Sequence, residues 1–131
     1  MMAIKLVWDS PEKSILRYDI DGQWTWDDAR QAVDRIFTMM DESPAEVVYT
    51  IPHFKGNVSI PPNGWKHFDI LTSRSHPKAG LTVIVGTNWL LKSVIGTVKN
   101  AYVLTGREVD FEYARTLDDA RAKIRRVMGS V

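Results

Sequence analysis

Apolar residues along this chain recur with two periods: short strand-length runs, and longer stripes at spacings of three and four. Ile4 to Trp8 and Ser14 to Ile20 are strand-length. Between them lies Asp9-Ser-Pro-Glu12, whose proline presets φ for a turn, so an antiparallel hairpin is predicted. Asp21-Gly22 breaks the second strand. A helix then starts at Thr25, with an inward stripe of Trp26, Ala29, Val33, Ile36, Phe37 and Met40, and stops at Ser43-Pro44. Glu46 to Ile51 is a β-prone third strand, and the turn-rich loop His53 to Gly64 follows it. Trp65, Phe68 and Leu71 predict a short second helix to about Ser73, and Leu81 to Val85 is a strand apolar on both faces. Asn88 can cap a third helix from Trp89 to about Leu104, its stripe formed by Leu91, Val94, Ile95, Val98 and Tyr102, with Gly106 stopping it. Val109 to Tyr113 alternates apolar and acidic residues, as an edge strand does. Thr116 caps a last helix that turns Leu117, Ala120, Ile124, Val127 and Met128 inward.

The order is ββαβαβαβα. Strands alternating with helices predict an α/β fold with a mixed, mostly parallel sheet, entered by one antiparallel hairpin and continued by right-handed crossovers. One segment occurs nearly twice, Thr25-Trp-Asp-Asp-Ala-Arg30 and Thr116-Leu-Asp-Asp-Ala-Arg121. Each copy follows a strand, and each reads as a helix start: a threonine cap, then carboxylates where the helix dipole favours negative charge. These paired carboxylates, Asp27/Asp28 and Asp118/Asp119, are therefore capping residues in preference to an acid–base pair. No linker, low-complexity tract or charge block divides the 131 residues, which read as a single domain over residues 1–131.

Composition narrows the function classes. Net charge is +1 with both signs mixed along the chain, which argues against nucleic-acid binding. The basic residues Arg121, Lys123, Arg125 and Arg126 sit where a helix C-terminus favours cations. Cysteine is absent, which excludes disulfides, thiol catalysis and thiolate metal sites. The apolar run near Met1 is too short for a signal-peptide core and no window reaches membrane-span length, so a cytoplasmic protein is expected.

The three histidines, His53, His67 and His76, lack metal-ligand spacing. No nucleophile elbow, phosphate-binding loop or dinucleotide fingerprint occurs, so neither catalytic residues nor a metal or cofactor are expected. Five tryptophans are the anomaly. Trp26 reads as core, Trp8 and Trp24 as boundary residues, and Trp65 and Trp89 as the first residues of helices after strand-to-helix loops. Ligands and partners engage open α/β sheets at the carboxyl ends of the strands. His53, Phe54, Lys55, Asn57, Ser59, Trp65, Asn88, Trp89 and Lys92 are thus the candidate binding residues.

The passage Ile15-Leu-Arg-Tyr-Asp-Ile-Asp-Gly22 followed by a helix, the apolar fourth strand, and Val109-Asp-Phe-Glu-Tyr113 before Thr-Leu-Asp-Asp-Ala120 resemble a STAS domain of the SpoIIAA-like branch of small bacterial proteins. The resemblance implies a right-handed βα superhelix and a non-enzymatic regulatory role. Anti-sigma-factor antagonists of this fold bind a kinase that phosphorylates a Ser or Thr after the third strand, usually within an Asp-Ser pair. Here that place reads Asn57-Val-Ser-Ile-Pro-Pro-Asn-Gly64, with no acid before Ser59. The expectation is an interaction module for a protein partner, without the usual phospho-switch. A small-ligand or lipid-headgroup carrier, walled by Phe54, Trp65 and Trp89, is the alternative, and a homodimer is left open.

Overall fold

The computed structural model describes residues 4–21, 24–55, 76–86, 104 and 111–129. In chain order these form β1 (Ile4–Trp8), β2 (Ile15–Ile20), α1 (Trp26–Glu42), β3 (Val48–Phe54), β4 (Ala79–Val85), β5 (Phe111–Ala114) and α2 (Leu117–Met128). The strands make one mixed five-stranded sheet in the order β1-β2-β3-β4-β5. β1 pairs antiparallel with β2, and every later neighbour is parallel. The hairpin and the edge position of the fifth strand are as predicted. The second predicted helix lies outside the described residues; of the third only Leu104 is described, helical and exposed.

Strand side chains alternate between faces, and the core divides accordingly. Ile15, Tyr49, Ile51, Val83, Val85 and Ala114 point one way and pack on Ala120 and Ile124 of α2. Leu16 and Val48 point the other way onto Ile36 and Met40 of α1, and Ile4, Ile20 and Trp24 meet Ala29 and Ala32 there. The two helices thus cover opposite faces of the sheet. Thr25 and Asp28 form a reciprocal capping box at the start of α1, and Thr116 caps α2 by accepting from the Asp119 N–H.

Four expectations need correction. Strand β3 runs on through Pro52 to Phe54, so His53 and Phe54 are strand residues and not the start of a loop. Proline costs a rung only where its N–H would donate. The Tyr49 and Lys55 N–H groups donate to Ser14 and Ile20, on the β2 side, whereas the Val48 N–H donates to Lys78 beside β4. Position 52 shares the parity of Val48, so the rung lost is one towards β4, and the pairing with β2 runs unbroken from Tyr49 to Phe54. Val127 and Met128 are exposed, and the core contacts of α2 come from Leu117, Ala120 and Ile124. Ala32, not Val33, completes the buried stripe of α1. Trp24 is core: it packs edge-on against Trp26 with ring centroids 4.9 Å apart.

Candidate functional site

The register of β2 on β3 places Asp19 beside His53, at the carboxyl ends of both strands. Alternation turns Arg17, Asp19 and His53 to the face that carries α2. The Asp19 carboxylate is only 9 % exposed and gathers the others around it. Arg17 forks onto it, Nε to Oδ1 at 3.0 Å and Nη2 to Oδ2 at 3.3 Å. His53 Nδ1 lies 3.3 Å from Oδ1, and Lys55 Nζ 3.8 Å from Oδ2.

The network continues along the sheet. Arg17 Nη1 donates to Asp9 Oδ1 at 2.9 Å, and Arg121 of α2 grips the same carboxylate through Nε and Nη2, both at 2.8 Å. Asp9 is 4 % exposed. The hydrogen bonds from Arg121 and the two guanidinium charges outweigh burial and hold its carboxyl below the ordinary value for aspartate. The hairpin turn that carries Asp9 is shaped by Ser10, whose Oγ accepts from the Ser14 and Ile15 N–H groups, and by Lys13 at a φ of 57°.

An imidazole beside a carboxylate has its tautomer set. Asp19 can only accept, so Nδ1 carries the proton and Nε2 presents its lone pair outward when the ring is neutral. His53 is 22 % exposed, and Nε2 has no partner among the described residues. His76 differs: its Nδ1 accepts from the Lys78 N–H at 3.1 Å and its Nε2 donates to Asp41 at 2.7 Å, so both nitrogens join β4 to the end of α1. Among the described residues no group of three or more His, Asp or Glu could hold a metal ion, and no helix is long and apolar enough to cross a membrane.

Of the candidate binding residues, the structure joins His53 and Lys55 through Asp19 and parts them from Phe54. Phe54 points to the α1 face, 6.1 Å from the Trp24 ring between centroids. Trp24 Nε1 is buried there with no hydrogen-bond partner among the described residues. Asn57, Ser59, Trp65, Asn88, Trp89 and Lys92 lie outside the described residues. Gly86, two residues before the candidate Asn88, accepts at its carbonyl from the Tyr113 hydroxyl.

Sequence reasoning missed Asp9, Arg17, Asp19 and Arg121. A signal for two of them exists: opposite charges two apart on one strand share a face. Nothing local points to Asp9 and Arg121, which meet across 112 positions. No protein-family model matches the chain, and no curated protein or solved structure matches it significantly.

Proposed function

We propose that this chain is a non-catalytic, cytoplasmic interaction module of STAS type, SpoIIAA-like, that engages a protein partner through the carboxyl edge of β2 and β3 and the stretch after Lys55. The observation that carries the reading is the Asp19 assembly. Arg17 and His53 are hydrogen-bonded to one scarcely exposed carboxylate, with Lys55 3.8 Å from it, which gives this edge an ordered polar surface. Recognition gains from such preorganisation, since side chains already ordered lose less entropy on binding. The sequential order of the strands after one entering hairpin supports the superhelical reading, and right-handed crossovers would complete it. The departure of the Ser59 segment from the Asp-Ser pattern supports recognition without a phospho-switch.

The test is site-specific photocrosslinking in cells, with the probe at position 55 or at position 30 on the exposed side of α1. A discrete adduct from position 55, competed away by unlabelled protein and missing from position 30, is expected. Equal labelling from both positions, or none from 55, would sink the reading. A second reading, small-ligand or lipid-headgroup binding, is favoured by the buried Trp24 Nε1, which has no partner among the described residues, beside Trp26 and Phe54. Buried indole N–H groups normally find an acceptor. It requires a co-purifying mass in native mass spectrometry that Trp24→Phe removes.

A further inference from the structure

The charges around Asp19 are unevenly exposed. Asp19 itself is 9 % exposed, whereas Arg17 is 24 % exposed, His53 22 % and Lys55 48 %. Lys5, exposed on β1, stands opposite Asp19 in the antiparallel register and on the same face. Two cations, Arg17 and Lys55, and the His53 ring therefore surround one carboxylate, and the carboxylate is the group that solvent scarcely reaches. Asp9, the other acid that Arg17 touches, is matched by Arg121. What faces water at this end of the sheet is the positive charge of Arg17 and Lys55, with the Nε2 of His53 beside it.

We propose that Arg17, His53 and Lys55, with Lys5 at the margin, form a binding site for a phosphate oxyanion, either free or as a phosphomonoester. A phosphate near neutral pH carries close to two negative charges and three or more strong acceptor oxygens. Arg17 and Lys55 bring two positive charges against the one of Asp19, and the fork of Arg17 is already fixed in direction. Arg17 is pinned by its fork to Asp19, Lys55 brings a point charge, and His53 turns Nε2 outward. The outward Nε2 of the neutral ring can accept from the hydroxyl of a protonated phosphate oxygen. The site does not require a protein partner, so it stands or falls separately from the interaction reading.

The experiment is a heteronuclear NMR titration of the full chain with inorganic phosphate, and separately with O-phosphoserine, each against sodium chloride at matched ionic strength. Saturable shifts centred on Arg17, Asp19, His53 and Lys55 are expected. Lys55→Met and His53→Gln should each weaken binding about tenfold, equivalent to roughly 1.4 kcal/mol. Both side chains reach solvent, so unchanged melting temperatures are expected to show that each variant folds. Arg17 is left in place because its loss would leave two enclosed carboxylates short of a partner. Saturation by both probes assigns a phosphomonoester; saturation by phosphate alone assigns the free anion. Shifts that chloride reproduces, or phosphate binding that survives Lys55→Met and His53→Gln together, would overturn the proposal.

Discussion

Replacing Asp9 by Asn removes one negative charge from a carboxylate that is 4 % exposed and accepts three hydrogen bonds from two guanidinium groups. Breaking a buried ion pair from one side costs about 3–5 kcal/mol, while an exposed pair is worth about 1 kcal/mol or less. The acid here is enclosed, but Arg17 and Arg121 remain 24 % and 31 % exposed and can turn towards water. The loss should therefore fall between these limits, at about 2–3 kcal/mol. For a domain of this size that is a fall in Tm of about 10 °C. Urea unfolding followed by tryptophan fluorescence measures it, with an unchanged m-value expected because the fold persists.

The pH dependence supplies the sharper check. Asp9 has a folded pKa depressed below its ordinary value, chiefly by the hydrogen bonds from Arg121. Its stabilisation is fully present above the unfolded pKa, about 3.9, and is lost as pH falls through the depressed folded value. The parent and Asp9→Asn curves should thus differ most near neutrality and converge in acid. In a double-mutant cycle with Arg121→Met, the coupling should exceed about 1 kcal/mol. A difference that stays constant down to strong acid, or a loss under about 0.5 kcal/mol at neutral pH, would refute the reasoning.

Two further outcomes test the packing and the caps. A Cβ at Gly80 would lie 2.7 Å from Val47 Cγ1 and 2.8 Å from Tyr49 Cε1. Val47 is exposed and can move, but Tyr49 is buried, so Gly80→Ala should cost about 1–3 kcal/mol by urea unfolding; an unaltered midpoint would show that the ring yields. Asp28 returns a bond to the Thr25 N–H at 2.9 Å, whereas the second copy has only the forward bond from the Asp119 N–H to Thr116. Asp28→Ala should accordingly destabilise more than Asp119→Ala, by about 0.5–1 kcal/mol, and equal losses would argue against the capping box.

Much of the architecture was legible because its causes are local. Strand alternation, turn chemistry at Pro11, and threonine caps at positions 25 and 116 all act within a few residues, and each element they mark is present. The end of β3 was not legible. Pro52 looks like a stop until the pairing shows which neighbour loses the rung. Of the candidate binding residues, His53 and Lys55 were singled out by their place at the carboxyl edge of the sheet, and the structure sets both beside Asp19. That Phe54 turns away from them follows from the strand continuing through it.

The twin segments separate what the chain determines from what the fold decides. Arg30 and Arg121 occupy the same position in near-identical stretches, and by sequence both should pair with the acid three residues earlier. Both do: Arg30 meets Asp27 at 2.6 Å and Arg121 meets Asp118 at 3.1 Å. Arg30 stays on an exposed helix face. Arg121 reaches across to Asp9 and ties the last helix to the first hairpin. Local sequence sets the cap, the helix and the short-range pair, because these depend on neighbours three or four residues away. Which arginine closes a network between the chain's two ends depends on the sheet, since only assembly brings α2 against the face on which Asp9 lies.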